Sequence, residues 1–376
     1  MTDASCPERA VVIGAGLIGT SAALALRRRG TRVWLWDRDP AAAALAADLG
    51  AGEALAGLDA AVAGPADVAL IAVPPAEVAA VLAAAQRAGL ARWYTDVASV
   101  KAQPLAQARR AGCDISRYVP GHPLAGRERS GPAAARGDLF LGRAWALCPA
   151  PETPDAAVAA VTAMVTACGA EPVLTDPATH DRWVALISHA PHVVAAAMAA
   201  QLAPAAVPPG ALALAGQGLR DATRIAVGDV GLWTQILTGN AAPVAAVLAA
   251  VAGDIAAAAR ALGSEPAAAD AAEAAPGPGQ ELAVLLERGR AGVARIPGKH
   301  GGPARAFTAV QVVLSDRPGE LARLFTAAAD AGVNVEDVGI EHSPGQPVGV
   351  AELSVRPEAA GTLIAALGAG GWPVRR

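Results

Sequence analysis

Short apolar runs alternate with longer amphipathic stretches over the first half of the chain. The runs are rich in Val and Ile, and the stretches between them are rich in Ala and Leu with helical spacing. Strands are predicted at 10–13, 32–36, 68–73, 92–95 and 118–120, with helices such as 17–29 and 77–88 between them. Because such an alternation builds a parallel sheet with helices on both faces, it predicts an α/β, Rossmann-type, doubly wound domain over residues 1–175.

The strand signal stops after this domain. Residues 176–296 read as Ala- and Leu-rich helices interrupted by Pro and Gly, which predicts an all-helical second domain. Residues 297–306 are rich in Gly, Pro and basic side chains, a composition typical of a linker. Two domain boundaries are therefore expected, one on each side of the helical segment.

Residues 307–376 return to a mixed pattern. Strands are predicted at 307–314, 333–341, 348–355 and 372–375, and helices at 319–331 and 358–367. The order βαββαβ is that of a ferredoxin-like sandwich, so we expect a third, self-contained domain.

One stretch, residues 183–219, carries no Asp, Glu, Lys or Arg and superficially resembles a membrane span. It contains His189, His192 and several prolines, and Ala is only weakly lipophilic, so a buried helix pair is the favoured interpretation. That much uncharged surface must be covered, which suggests a homodimer with interlocked helices.

Composition excludes several classes of function. A formal net charge of -4 offers no basic surface for nucleic acid. The four cysteines form no C-x-x-C pair, which argues against a disulfide framework and a zinc knuckle, and no metal is expected. Residues 1–9 contain acids and a proline where an export signal needs an apolar core, so a cytoplasmic location is expected.

The turn after the first predicted strand reads G-A-G-L-I-G, from Gly14 to Gly19 through Gly16, Leu17 and Ile18. In such a turn the first glycine permits a tight bend, the second lets the backbone approach a pyrophosphate, and the third permits close helix packing. Phosphates are also attracted to the N-terminus of the helix that follows. Dinucleotide binding is therefore predicted.

The identity of the dinucleotide depends on the end of the second strand. Asp37 can accept hydrogen bonds from the adenosine ribose and would repel a 2′-phosphate, which favours NAD over NADP. Arg38 could instead pair with a 2′-phosphate, so NADP stays open. Val73 and Pro74 follow another predicted strand, where they either line the cofactor site or simply end the strand.

Four polar segments are candidates for chemistry. Ser99, in D-V-A-S-V-K, is either a helix N-cap or a site residue. His122, in G-H-P-L-A-G, is held extended by the following proline and is either a general base or a structural histidine. His189 and His192 are spaced to share a helix face, with a metal site as the alternative. Arg224 is either a clamp for a substrate carboxylate or a solvated charge.

Taken together, these segments resemble the prephenate and arogenate dehydrogenase family. The resemblance covers nearly residues 10–300 and includes G-H-P-L-A-G-R-E-R-S-G, S-H-A-P-H and R-D-A-T-R-I-A in that order. It implies an NAD-dependent oxidative decarboxylation of prephenate, or of arogenate, in tyrosine biosynthesis.

The resemblance also implies roles for individual residues. His122 would bind the ring hydroxyl of the substrate and act as base, and Ser99 would assist that contact and position the nicotinamide. Arg224 would hold a carboxylate and His192 would touch the substrate, while His189 would support the fold. Glu128 would lie near the opposite end of the substrate ring.

The C-terminal segment resembles an ACT domain. The resemblance lies in D-R-P-G-E-L, with Asp316, Pro318 and Gly319, and in G-V-N-V, with Asn334. In that family such turns bind a regulatory amino acid, which the resemblance implies is tyrosine here; the alternative is a dimerisation module that binds nothing.

Two readings outside this family stay open. A β-hydroxyacid or imine dehydrogenase shares the two-domain plan, but it usually needs a catalytic Lys or Asp on the interdomain helix. No lysine occurs between Lys101 and Lys299. A non-enzymatic sensor of NAD and amino acids is the second reading, and NADH formation with prephenate would exclude it.

Overall fold

The computed structural model describes residues 6–58, 64–126, 130–203, 207–263, 278–296, 307–342 and 347–375. The chain divides into two compact units, residues 1–253 and 254–376. The division falls within a helix of the predicted second domain, and the predicted linker lies outside the described residues. The domain limits derived from the sequence therefore stay a prediction.

A six-stranded parallel sheet forms the centre of the first unit. Its strands are β1 (Arg9–Ile13), β2 (Arg32–Trp36), β3 (Glu53–Ala54), β4 (Ala66–Ile71), β5 (Ala91–Asp96) and β6 (Tyr118–Val119). Their spatial order is β3-β2-β1-β4-β5-β6, and every pair is parallel. This order is that of a dinucleotide-binding Rossmann sheet, so the predicted fold class of this region is confirmed.

Helices cover both faces of the sheet, which explains why its strands read as continuous apolar runs. In β1, Ala10 and Val12 belong to one hydrophobic core, and Val11 and Ile13 belong to the other. The covering helices are α1 (Leu17–Arg28), α2 (Pro40–Asp48), α3 (Val78–Arg87), α4 (Ala102–Arg110) and α5 (Asp155–Ala167).

A small second sheet was not anticipated from the sequence. Its strands are β7 (Gly121–Pro123), β8 (Ala144–Leu147) and β9 (Glu171–Leu174). β7 pairs antiparallel with β8, and β8 pairs parallel with β9. The predicted strand at 118–120 is β6, which ends at Val119 because Pro120 cannot continue the ladder, and β7 starts directly after that proline. β7 carries His122.

Every element described between residues 176 and 296 is helical, as predicted. The helices are α6 (Pro177–Val184), α7 (Ala190–Ala200), α8 (Pro209–Ala213), α9 (Gln217–Thr223), α10 (Val230–Gly239), α11 (Ala241–Gly263) and α12 (Pro278–Val293). A π-helical turn, Ala185–His189, joins α6 to α7. Pro191 lacks the N–H that would close a regular turn there, which accounts for the wider turn.

The uncharged stretch is less buried within the single chain than predicted. Several of its large apolar side chains are more than half exposed, namely Trp183, Leu186, Ile187 and Leu214. The periodicity that predicted the helices is correct, but it does not indicate what covers their apolar sides.

The C-terminal residues form a four-stranded antiparallel sheet with two helices. The elements are β10 (Thr308–Ser315), α13 (Glu320–Asp330), β11 (Asp337–His342), β12 (Val348–Val355), α14 (Pro357–Ala369) and β13 (Val374–Arg375). The strand order is β11-β12-β10-β13. The predicted βαββαβ order of elements is present, although β11 begins four residues later than expected because Val333 packs into the core before the strand starts.

Candidate active site

The glycine turn after β1 has the geometry that the sequence predicts. Gly14 has φ +105, and a Cβ there would lie 2.3 Å from the Ala72 carbonyl oxygen. A Cβ on Gly19 would lie 1.9 Å from the Gly14 carbonyl oxygen, so the third glycine permits close helix packing. A Cβ on Gly16 would meet nothing within 4 Å. The backbone at Gly16 therefore faces open space at the start of α1, where Leu17 and Ile18 follow.

Asp37 lies directly beside this turn. Its Oδ2 accepts a hydrogen bond from the Ala15 N–H at 2.6 Å, and its Oδ1 accepts one from the Asp39 N–H at 2.8 Å. Arg38 is mostly exposed and pairs with Glu77 at 3.1 Å. The carboxylate is thus fixed at the turn, while the guanidinium has a partner of its own.

These features fit a dinucleotide. The turn offers backbone N–H groups at a helix N-terminus, an open approach at Gly16, and an acid for the ribose. Val73 and Pro74 follow β4, next to Ala72, against which Gly14 packs. The residues present would therefore hold NAD at the carboxyl edge of the sheet.

A buried ionic cluster lies at the same edge. Asp96, at the end of β5, accepts hydrogen bonds from the Lys101 ammonium and the Tyr118 hydroxyl, and all three side chains are buried. Lys101 also donates to the Gly121 carbonyl oxygen at 2.5 Å. This second contact ties the ammonium to the residue that precedes His122, so the cluster fixes the start of β7.

His122 lies just beyond the carboxyl ends of β5 and β6 and is only 7% exposed. Its Nδ1 is 2.9 Å from the Nε2 of His180, and the Nδ1 of His180 is 2.8 Å from the Asp181 carboxylate. Burial lowers the pKa of His122 well below 6.5, and the neighbouring His180 and the Lys101 charge lower it further. The imidazole is therefore neutral near pH 7 and able to accept a proton.

Asp181 joins α6 to the Rossmann-type sheet. Its Oδ1 accepts the Lys101 N–H at 2.8 Å and its Oδ2 accepts the Ala102 N–H at 2.9 Å. The carboxylate therefore caps α4, whose N-cap residue is Lys101. Ser99 lies two residues earlier and is half-buried, so its reading as a helix N-cap is wrong.

His189 and His192 come together with an aromatic side chain from α10. The ring of Trp233 stacks on His192 at 3.5 Å and meets His189 edge-on at 6.2 Å. The Asn240 amide nitrogen donates to the His189 Nδ1 at 3.1 Å, and burial lowers the pKa of His189 to about 4. Both imidazoles are therefore held by protein groups, and no metal-binding cluster occurs among the described residues.

Arg224 begins a 3₁₀ turn, Arg224–Val227, that packs against α7. Its side chain is exposed. Glu128 lies outside the described residues. The proposed roles of both residues stay predictions.

The turn residues of the C-terminal sheet occupy connections, and Asn334 lies before β11 rather than inside the predicted strand. Gly319 has φ +91 and is the N-cap of α13. The Asp316 N–H donates to the Pro347 carbonyl oxygen at 2.9 Å, and the Asn334 amide donates to Glu336 at 3.0 Å. Pro318 directly precedes Gly319 in this turn.

His180 and Asp181 were missed by the sequence analysis. They form a polar pair early in a helix that is otherwise apolar on its buried side, which is a weak signal. Their partners are 58 and 80 residues away in the sequence, and no short motif connects them.

Family models match most of the chain. The model described as "Prephenate dehydrogenase, nucleotide-binding domain" matches residues 22–174. The model described as "Prephenate dehydrogenase, dimerization domain" matches residues 176–269.

Curated relatives point the same way. The chain is 41% identical over 366 residues to a probable prephenate dehydrogenase, NovF, of Streptomyces niveus. The alignment covers 97% of this chain and 98% of the relative. It is 31% identical over 262 residues to a cyclohexadienyl dehydrogenase of Zymomonas mobilis, covering 68% of this chain and 88% of the relative.

Two solved structures share the fold. A prephenate dehydrogenase from A. aeolicus, crystallised with hydroxyphenyl propionate and NAD+, has a TM-score of 0.65 at 24% identity and covers 76% of this chain and 97% of its own. A Synechocystis arogenate dehydrogenase has a TM-score of 0.61 at 26% identity, with coverages of 76% and 98%.

Proposed function

The chain belongs to the prephenate dehydrogenase family of NAD-dependent oxidoreductases, and we propose that it converts prephenate to 4-hydroxyphenylpyruvate. One observation carries the proposal. A buried, neutral His122 lies at the carboxyl edge of the sheet, the same edge as the open glycine turn. A base and a hydride acceptor can therefore meet over one substrate.

The reaction needs a hydride and a proton to leave the same carbinol. When bound at the Gly14–Gly19 turn, NAD would supply the acceptor for the hydride that leaves C4 of the cyclohexadiene ring. His122 takes the proton of the C4 hydroxyl, so a carbonyl forms at C4. Loss of CO2 from C1 leaves its electron pair in the ring, which becomes aromatic, and His122 returns the proton to the phenolate oxygen. Aromatisation supplies the driving force, so the protein mainly positions its groups.

The remaining site residues hold the substrate. Arg224 pairs bidentately with one of its carboxylates, and its exposure and its place against α7 support this role. Ser99 assists the contact to the ring hydroxyl and positions the nicotinamide. His192 touches the substrate and His189 supports the fold, and Glu128 is assigned to the far end of the ring as the family resemblance implies.

Specificity is the finer part of the proposal. We assign NAD rather than NADP because the Asp37 carboxylate is fixed beside the glycine turn and Arg38 is paired with Glu77. We assign prephenate rather than arogenate because Ser188, which the family resemblance puts beside the pocket, offers no negative charge for the arogenate ammonium group.

Initial rates test these assignments. Each of prephenate and arogenate is combined with each of NAD and NADP, and the product is identified by mass. We expect kcat/KM to be highest with prephenate and NAD. A higher value with arogenate would overturn the substrate assignment and leave the family unchanged. No NADH formation with either substrate would overturn the enzymatic proposal.

The C-terminal sheet is proposed to act as an ACT domain that binds tyrosine as a regulator. The βαββαβ order and the turn of Asp316, Pro318 and Gly319, with Asn334 nearby in sequence, support it. Calorimetry with tyrosine, repeated with an Asn334→Ala variant, tests the site. Equal binding by both proteins would exclude Asn334, and no binding by the wild type would favour a module that binds no amino acid.

Assembly as a homodimer in the cytoplasm completes the proposal. Two stretches, Pro177–Ala200 and Ala241–Gly263, are long and apolar enough to cross a membrane by composition. The first carries buried, hydrogen-bonded His180, Asp181 and His189, which argues against a span. Light scattering should give a dimer for the wild type and a shift towards monomer for Ile187→Asp, since Ile187 is 65% exposed in one chain.

A further inference from the structure

The hydrogen bonds behind His122 form a continuous line. It runs from the His122 Nδ1 to the His180 Nε2 at 2.9 Å, and from the His180 Nδ1 to the Asp181 Oδ1 at 2.8 Å. All three side chains are at most 7% exposed, so no bulk water competes for these bonds. The position of each proton along the line is then fixed by what each atom can donate or accept.

The line begins at a group that can only accept. The Asp181 carboxylate receives two backbone N–H bonds from Lys101 and Ala102, at the N-terminus of α4. Backbone donors and the positive end of a helix dipole both stabilise an ionised carboxylate. An ionised carboxylate has no proton to give, so the proton between Asp181 and His180 belongs to the His180 Nδ1.

The proton on Nδ1 of His180 determines the proton positions on the two imidazole rings. A neutral imidazole carries one N–H, so the His180 Nε2 is a bare acceptor. The His122 Nδ1 must then be the donor in the bond between the two rings. A neutral His122 with a proton on Nδ1 has a bare Nε2, which is the nitrogen that can accept a proton from a substrate.

We propose that His180 and Asp181 are positioning residues that hold His122 in the tautomer with a bare Nε2. This inference rests on the proposed role of His122 as base. When His122 takes the substrate proton, its Nδ1–H bond to His180 is retained, and the Asp181 charge at the end of the line stabilises the imidazolium through the intervening ring. The same line then favours return of the proton to the product in its original place.

Asp181→Asn reverses the line. The new amide keeps one acceptor oxygen, so it loses one of the two backbone bonds. With its nitrogen in the place of Oδ1 it gives up the Lys101 N–H and donates to the His180 Nδ1, which would place the remaining proton of that ring on Nε2. His180 would then donate to the His122 Nδ1, and the His122 Nε2 would carry a proton and be unable to act as base. Since a positioned base contributes about 100- to 10,000-fold, we expect kcat to fall about 100-fold or more. NAD affinity should be unchanged, because the Gly14–Gly19 turn is untouched.

Two further variants separate this role from a purely structural one. A Gln at position 180 can accept from His122 through its carbonyl and donate to Asp181 through its amide, whereas a Leu can do neither. We expect His180→Gln to keep most of the wild-type kcat and His180→Leu to lose about 100-fold. Asp176→Asn is the matched control, because the Asp176 side chain caps α6 at the Thr179 N–H, and its bond to His180 is a backbone one that the substitution leaves in place.

The tautomer itself can be read by NMR of protein labelled with ¹⁵N-histidine, with His122 assigned by its loss in His122→Asn. The wild type should show a protonated Nδ1 and a bare Nε2 at His122, and Asp181→Asn should show the reverse. A protonated Nε2 at His122 in the wild type would overturn the inference. So would equal kcat values for His180→Leu and the wild type.

Melting temperature and NAD affinity are measured for every variant, so that loss of the fold is not read as loss of the base. If Asp181→Asn does not fold, the Gln and Leu pair at position 180 decides the question. Equal losses in that pair, with unchanged melting temperatures, would also overturn the inference. Failure of the proposed function looks different, because the wild type would then form no NADH. Failure of His122 as the base would show as a His122→Asn variant that keeps its activity.

Discussion

Alanine at Gly14 and alanine at Gly16 should have opposite consequences, although both glycines belong to one turn. At Gly14 the added Cβ would lie 2.3 Å from the Ala72 carbonyl oxygen and 2.7 Å from its carbon. Both are backbone atoms and cannot rotate away. The positive φ of +105 adds backbone strain of about 1–3 kcal/mol.

Overpacking typically costs a further 1–3 kcal/mol, so the total for Gly14→Ala is about 2–6 kcal/mol. Native domains are stable by only about 5–15 kcal/mol. We therefore expect this variant to melt many degrees lower than the wild type, or to be recovered unfolded.

Gly16→Ala should leave the fold intact. Its φ of -75 suits any residue, and a Cβ there meets nothing within 4 Å. The only stability cost is the weaker capping preference of Ala, at most about 1 kcal/mol. The methyl group instead occupies the space through which a pyrophosphate approaches. Losing one hydrogen bond to a charged group costs about 1.5–3 kcal/mol, which corresponds to about 10- to 150-fold weaker NAD binding.

Thermal melting and NAD titration by tryptophan fluorescence measure both quantities on the same samples. If Gly16→Ala binds NAD as the wild type does, the phosphate site is not at this turn. If Gly14→Ala has the same melting temperature as the wild type, the contact with Ala72 does not restrict this position.

Three further predictions follow from single side chains. Asp37→Ser should raise kcat/KM with NADP and weaken NAD binding about tenfold or more, which steady-state kinetics with both cofactors will measure. An unchanged preference for NAD over NADP would show that Asp37 does not contact the ribose. Because burial lowers the pKa of His189 to about 4, the unfolded chain binds that proton first as the pH falls. The contribution of His189 to the free energy of unfolding should therefore be constant above pH 7 and fall by on the order of 3 kcal/mol from pH 6.5 to 4. Denaturant melts should show a correspondingly smaller fall for His189→Asn than for the wild type. Lys101→Met should lower the free energy of unfolding by about 3–5 kcal/mol, because it leaves the buried Asp96 carboxylate without its cation. The double variant Lys101→Met, Asp96→Asn should recover part of that loss in the same denaturant melts.

Features encoded by neighbouring residues were predictable from the sequence. The glycine turn, Asp37 and the strand limits of β2 depend on residues within one βαβ unit, so a local pattern contains the information. The βαββαβ order at the C-terminus was predictable for the same reason. β11 was misplaced because Val333 and Val335 have a strand-like composition yet pack as a loop under the sheet.

Features that depend on distant residues were not predictable in this way. His122 was singled out as a candidate, but nothing near it in the sequence indicates His180 as its partner, 58 residues away. The Ser99 alternative failed for a related reason, because the cap of α4 comes from Asp181, on a helix of the all-helical segment. A polar pair such as His180 and Asp181 acquires its meaning only when the fold brings α6 against α4.

The most direct test of the account is the kcat of His122→Asn with prephenate and NAD, measured together with the NAD dissociation constant. A positioned general base predicts a fall in kcat of about 100- to 10,000-fold with unchanged NAD affinity. A fall of less than about tenfold would contradict the assignment of His122 as the base.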